Sequence, residues 1–352
     1  MKSAINLAGP VVKIIDTPIP EPNDGQVLIK VVVSGSNPKD WKVPDIAAID
    51  GHPFFERYSQ VREGVNQGDD IAGIVEKVGK NVVEFKPGDR VAAFHEMLAP
   101  GGSYAEYALA WSHTTFHLPK ESSFEEAATI PLAGLTAVVA LYHHLALPFP
   151  WAPAKNATPL VVYGASTAVG AFAIKLAQKS NIHPIIGVAG KGAHYAQRLL
   201  DSRKGDCIID YRNGPEETIQ NIRKAAGGAE IRHALDTIVL EQSTHVLRSV
   251  VTPGGNVNHI LPNPPDLSPA VATNTWVSSA HQEGGADDCR DLCFLFCRWI
   301  GRGLQQGTFS GHPFEVRPSG LEGVQDALKD LKENKASAVK YVFRIADTPG
   351  LS

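Results

Sequence analysis

The sequence predicts an α/β protein made of two parts: a doubly wound parallel sheet in the middle of the chain, and a mostly antiparallel, barrel-like β unit. Three observations carry that reading. Short β-branched runs alternate with turn clusters over roughly the first hundred residues. From Pro159 the rhythm changes to fully apolar runs that alternate with segments of helical period. After about Asn274 only helices, a turn-rich stretch and one closing strand remain.

Taken in order, Gln26–Ser34 (QVLIKVVVS), Ala72–Val78 (AGIVEKV) and Arg90–Phe94 (RVAAF) read as strands, with EPNDG, GKN and KPGD supplying the turns. Ala127–Tyr142 is an apolar stretch of roughly sixteen residues broken by Pro131, short of the ~20 that a bilayer demands, and reads as a buried segment. Leu160–Tyr163, Pro184–Ala189, Cys207–Asp210, His233–Val239 and Gly255–Leu261 are the apolar runs of the central part. The segment AFAIKLAQKS follows the first of them, and a helix holding Arg198, Leu199 and Leu200 follows the second. Strands without polar alternation are buried on both faces, which calls for a parallel sheet with helices on each side. Helices Asp287–Leu304 and Leu321–Glu333 and a strand Val339–Ile345 close the chain. A fragment of that size has no core of its own, so it returns to the first part. The expected domains are residues 1–127 with 280–352, and residues 128–279.

The 352 residues are 43% hydrophobic and 20% charged, enough to bury a core and incompatible with disorder. A net charge of −4 without a long basic run excludes a nucleic-acid or anionic-membrane footprint. The opening MKSAINLAGPVVKI has no unbroken apolar core of a secretory signal, so a cytoplasmic protein is expected. Cys289, Cys293 and Cys297 recur at four-residue spacing without a second cluster, and read as buried thiols. His113 and His117 lack a carboxylate or thiol partner, and no metal is expected.

The segment VVYGASTAVGAFAIKLAQ is strand, tight turn and helix, so amides opening that helix face an anion above Ser166–Val169. Of the usual Gly-x-Gly-x-x-Gly spacing only Gly164 and Gly170 remain, and the strand before and helix after supply the context. The second apolar run ends GVAGKGAHY. An acid there would bond a ribose 2′-hydroxyl and repel a 2′-phosphate; none is present and Lys191 is, which favours NADPH over NADH.

With these residues in view, the chain resembles the medium-chain dehydrogenase/reductase superfamily over nearly its whole length. The resemblance rests on GDDIAGIVEKVG (Gly68, Asp69, Ala72, Gly73, Gly79), KPGDRV, GGSYAEY, AATIPLAGLTA and the ASTAVG turn. NPKDWK at Asn37–Lys42 and STAVG at Ser166–Gly170 resemble its zinc-free branch, similar to quinone oxidoreductases and to fungal trans-acting enoyl reductases. The resemblance implies a Rossmann-type domain beside a GroES-like domain. Where zinc-dependent members carry Cys and then Gly-His-Glu, this chain has GSNPKD and Gly68-Asp69-Asp70, and the four-cysteine lobe is missing.

The same resemblance implies a cofactor site. Asn37, Pro38, Lys39, Asp40 and Lys42 would line its nicotinamide side; Gly164, Ser166, Thr167, Ala168 and Val169 would hold the diphosphate; Ala189, Gly190, Lys191, Gly192 and Tyr211 would take the adenosine end. Ile260 and Leu261 would flank the nicotinamide, with Tyr341 and Val342 closing over the cofactor. Reducing a double bond conjugated to a carbonyl, or a quinone, places negative charge on oxygen as hydride arrives, so orientation and a donor suffice. Lys42 and Thr136 are the catalytic candidates; Lys42 reads equally as a surface lysine after Trp41, and Thr136 as a helix hydroxyl bonded to its own backbone. Thr136, Ala137, Leu141, Tyr142, His144 and Trp276 would line the substrate cleft. The expected activity is an NADPH-dependent reduction of an activated C=C or quinone on a small molecule. A rival is an enoyl reductase serving a polyketide synthase carrier domain in trans. A third reading is an NADPH-binding scaffold or sensor. Monomer and homodimer are both open.

Overall fold

The computed structural model describes residues 1–52, 59–261 and 266–351. It divides into two compact units, Met1–Leu132 with Ala280–Ser352, and Ala133–Ser279. The first division falls inside the helix Pro131–Val138 instead of at residue 128.

In the first unit, β1 (Lys2–Leu7) and β2 (Val11–Asp16) form an antiparallel pair. There follow β3 (Gln26–Gly35), the helix Lys39–Ala47, β4 (Asp70–Val78), β5 (Arg90–Phe94), β6 (Tyr107–Trp111) and β7 (Thr115–His117). In the second unit six strands run in one direction: β8 (Leu160–Tyr163), β9 (Ile185–Ala189), β10 (Cys207–Asp210), β11 (His233–Asp236), β12 (Asn256–His259) and β13 (Val271–Asn274). Finally β14 (Phe314–Arg317) and β15 (Lys340–Arg344) rejoin the first unit.

The sheet of the first unit runs β14-β15-β3-β4-β5-β7, with β6 paired to β3, and all but the β14/β15 pair are antiparallel. Alternation along β3 and β4 sends Ile29, Val31, Ile71 and Val75 into a core shared with Tyr104, Leu328 and Phe343. The second unit has the order β10-β9-β8-β11-β12-β13. Strand order reverses beside β8, the position at which sheets of this kind bind ligands at the carboxyl ends of their strands. Val161, Ile186, Ala234 and Val257 lie in one core cluster of this unit.

Several expected boundaries shift for local reasons. The run expected over His233–Val239 stops at Asp236, because that carboxylate accepts the amides of Ile238 and Val239 (both 2.9 Å) and turns the chain out of the sheet. The second helix spans Ala193–Gln197 and is capped by Arg198, which leaves Leu199 and Leu200 beyond it. The helix expected from Asp287 begins at Arg290, behind the Asp288 side chain that takes the Gly284 and Arg290 amides. Phe124–His144 is long and apolar enough to span a membrane by length and composition, but 83% of its apolar window is buried, so core packing accounts for it.

Candidate functional site

At the end of β8 the chain enters Gly164 with φ +87°, a conformation that a side chain opposes. A Cβ there would also lie 2.1 Å from Thr237 Oγ1. The Thr237 hydroxyl donates to the Tyr163 and Gly164 carbonyls (2.9 and 3.2 Å) and meets Thr167 Oγ1 at 3.0 Å, tying the ends of β8 and β11 together. Thr167 caps the helix Ala168–Lys179 by accepting the Gly170 amide at 3.0 Å. Gly170 must be bare, since a Cβ would sit 2.3 Å from the Gly164 carbonyl. The amides of Ala168 and Val169 stand ahead of any helical acceptor, at the positive end of the helix dipole. Ser166–Val169 are half-buried, so this end of the helix is open to a ligand. A backbone cradle lined by small side chains fits a dinucleotide diphosphate.

In the turn after β9, Ala189 and Gly190 are buried and Lys191 is exposed. A Cβ on Gly190 would lie 2.8 Å from the Tyr211 ring, so the missing side chain lets the ring close over this turn. Asp210 stands in register with Ala189, but its carboxylate is gripped by the Arg212 guanidinium, which holds it down at about 2. That acid is therefore already paired. Ile260 and Leu261 follow β12 half-buried, with the Ile260 amide donating to the Asp236 carbonyl at 3.3 Å.

In the first unit, Asn37–Lys42 opens the helix Lys39–Ala47 and is pinned by two lysines. Asn37 Nδ2 donates to Asp70 Oδ2 at 2.6 Å, and Lys340 Nζ reaches Asp70 Oδ2 at 2.6 Å and Asn37 Oδ1 at 3.1 Å. Asp70 Oδ1 accepts the Leu132 amide at 2.7 Å. On the other side Lys39 Nζ lies 2.5 Å from Asp69 Oδ2 and 3.2 Å from Asp40 Oδ1. Tyr104 donates its hydroxyl to Asp40 Oδ2 at 2.6 Å, and His95 Nδ1 meets Asp69 Oδ1 at 2.9 Å. Burial drives the Asp40 carboxyl up to about 6, against the pull of Lys39. Pro38 is exposed. Lys42 is half-buried with its ammonium 5.6 Å from the Trp41 ring centroid, and desolvation lowers its pKa.

The remaining expectations divide. Thr136 is buried and His144 and Trp276 are half-buried, whereas Ala137 and Leu141 have no exposed surface and belong to the interior instead of lining a cleft. Tyr142 leaves the substrate list: its ring stacks on Phe149 and its hydroxyl bonds Ser180 Oγ at 2.9 Å and the Leu176 carbonyl, which makes it core of the second unit. Tyr341 and Val342 are likewise interior, in the middle of the first unit's sheet, with the Arg317 guanidinium 4.7 Å over the Tyr341 ring. The residue that reaches the polar cluster from β15 is Lys340. His113 Nε2 bonds the Ala280 carbonyl and His117 Nε2 the Glu84 carbonyl, so the two rings serve different backbone acceptors. Burial raises the thiols of Cys293 and Cys297.

Sequence reasoning did not place Asp69, Asp70, His95, Tyr104, Thr237 and Lys340 in the candidate site, where the structure brings them together with residues it did name. Two signals were present: paired acids at the mouth of an apolar strand (GDDIAGIV), and a lysine inside one (VKYVF).

Comparison with known proteins adds the following. Residues 23–120 match the Alcohol dehydrogenase GroES-like domain family. The chain is 42% identical over 329 residues to the trans-enoyl reductase fsr4 of Gibberella fujikuroi, covering 92% of each. It is 30% identical to the trans-enoyl reductase resD of Aspergillus sclerotiorum, over 98% of this chain and 100% of that one. The crystal structure of the CurK enoyl reductase shares the fold, with a TM-score of 0.77 at 20% identity, over 97% of this chain and 98% of that one.

Proposed function

Because this chain belongs to the medium-chain dehydrogenase/reductase superfamily and is an enoyl/quinone reductase within it, we propose that it reduces the activated double bond of an enoyl thioester presented by a polyketide synthase carrier, using NADPH. One observation carries the reading: the identity of 42% to a trans-enoyl reductase extends over 92% of both chains. The preference for NADPH is supported by the turn after β9, which offers Lys191 and no acid, and by Asp210 being occupied with Arg212.

A nicotinamide dinucleotide, when bound, supplies the hydride. The amides of Ala168 and Val169 and the turn Gly164–Thr167 hold its diphosphate; Gly190, Lys191, Gly192 and Tyr211 take the adenosine end, and Ile260 and Leu261 flank the nicotinamide. Lys42 donates to the substrate carbonyl oxygen, where negative charge grows as the β-carbon accepts hydride. Desolvation lowers the Lys42 pKa, which makes its ammonium a stronger donor than a surface lysine. Thr136 is the second proposed donor, and His144 and Trp276 are the proposed substrate walls.

The test is to mix purified protein with NADPH or NADH and a quinone, a short enal or a thioester-bound enoyl chain, following absorbance of the reduced nicotinamide. Fastest turnover is expected with NADPH and the thioester. Faster turnover of the quinone would return the reading to a small-molecule quinone reductase, and NADPH binding without turnover of any acceptor would favour a scaffold or sensor.

A further inference from the structure

The Lys39 ammonium is enclosed by four oxygens: Asp69 Oδ2 at 2.5 Å, the Gln67 carbonyl at 2.6 Å, and Asp40 Oδ1 and Gln67 Oε1, each at 3.2 Å. Both Gln67 oxygens accept hydrogen bonds from this ammonium, and the two carboxylate oxygens face it as ion-pair partners. Both carboxylates are wholly shielded from solvent, and the lysine side chain is 15% exposed. Two buried anions in one place require a cation.

The cage is contributed by two separate stretches. Asp40 belongs to the helix Lys39–Ala47, whereas Gln67 and Asp69 lead into β4. That helix is weak by itself: its N-cap Pro38 makes no side-chain cap bond, and Pro44 inside it has no N–H to donate. Its orientation comes from outside, and the Lys39 ammonium links it to the strand entrance beside the Asn37 Nδ2–Asp70 Oδ2 bond. Lys42 stands three residues further on, one helical turn away.

We propose that Lys39 is a built-in cation whose oxygen cage locks the Asn37–Lys42 turn to the entrance of β4, making it a positioning residue for Lys42. This rests on the reading of Lys42 as the donor to the substrate carbonyl, but the cage itself is testable without turnover.

Lys39→Ala deletes Cγ, Cδ, Cε and Nζ, the atoms of n-propylamine. The full-length variant is assayed with n-propylammonium and, as a cation lacking N–H donors, with tetramethylammonium. A thermal midpoint in the absence of substrate reads the cage. It should fall in the variant and be restored by n-propylammonium alone, with no such rise in the wild type. Turnover reads the positioning: kcat should fall at least thirtyfold with KM for NADPH within twofold of the wild type, recover with n-propylammonium, and not recover in Lys39→Met, whose side chain fills the space. If Lys39→Ala does not fold unaided, refolding with n-propylammonium and not with tetramethylammonium gives the same reading. A midpoint, or a refolding yield, that neither cation restores overturns the cage. A restored midpoint with kcat unchanged by the substitution overturns the positioning role and leaves the cage. A wild type that turns over no acceptor overturns the reading of function and leaves the midpoint test standing.

Discussion

The two units place their functional atoms by opposite means. In the second, the polar groups proposed to face a ligand are backbone amides, set by a glycine turn, a threonine cap and an apolar sheet. In the first, they are side chains held among buried charges: Asp40, Asp69, Asp70 and Lys340 all lie below 5% exposure. Backbone amides set by packing do not themselves titrate. Side chains set among buried ionisable groups depend on the protonation states of those groups, and so on pH.

The largest expected effect follows from that contrast. Lys340→Met leaves Asp70 buried with its cation gone, which by analogy with broken buried pairs costs about 3–5 kcal/mol of stability. Urea unfolding of variant and wild type measures it. The double variant Lys340→Met/Asp70→Asn should regain most of the loss, because no ion is then stranded. A single-variant loss below about 1 kcal/mol would show that the first unit is held by packing after all.

Next comes the pH dependence carried by Asp40. Its carboxyl is raised from 3.8 to about 6 in the fold, burial being the chief cause, so the folded state keeps a proton that the unfolded chain releases. The resulting stabilisation is complete below pH 3.8 and is lost as pH rises through 6, a swing of about 3 kcal/mol. Asp40→Asn should flatten the stability curve in that window, measured by urea midpoints at successive pH values. An unchanged slope would place the titration elsewhere.

These charges also mark the limit of what was legible in the sequence. The strands Leu160–Tyr163 and Cys207–Asp210 and the small-residue turn before the helix Ala168–Lys179 were readable because continuous apolar runs and small-residue turns are local patterns. Alternation along a strand says which residues turn inward but not which partner each meets. Asp70 and Lys340 are 270 positions apart, and Asp69 meets His95 from another strand end. Tyr142 and Tyr341 failed for the complementary reason: an aromatic in a functional segment reads the same whether it faces a ligand or the core.

In the second unit a polar deletion should cost less. Thr167→Ala removes a helix cap and its contact with Thr237 but strands no charge, so about 1 kcal/mol is expected. Thermal unfolding gives the stability change and fluorescence titration the NADPH affinity, which should weaken by no more than about tenfold. A loss as large as that of Lys340→Met would erase the distinction between the units.

The smallest effect tests whether a charge matters at all in the second unit. Lys191 is exposed, so its attraction for a 2′-phosphate acts across water and is worth at most about 1 kcal/mol, or about fivefold in the NADPH to NADH ratio of kcat/KM. Lys191→Ala should therefore reduce that ratio modestly without reversing it, because the missing acid at Ala189–Gly192 remains missing. The reduction should fade as salt is raised, since an exposed charge is screened within about 8 Å at physiological ionic strength. Reversal of the preference would mean that one surface lysine, and not the shape and neutrality of the turn, decides the coenzyme, and the second unit would then share the first one's dependence on charge.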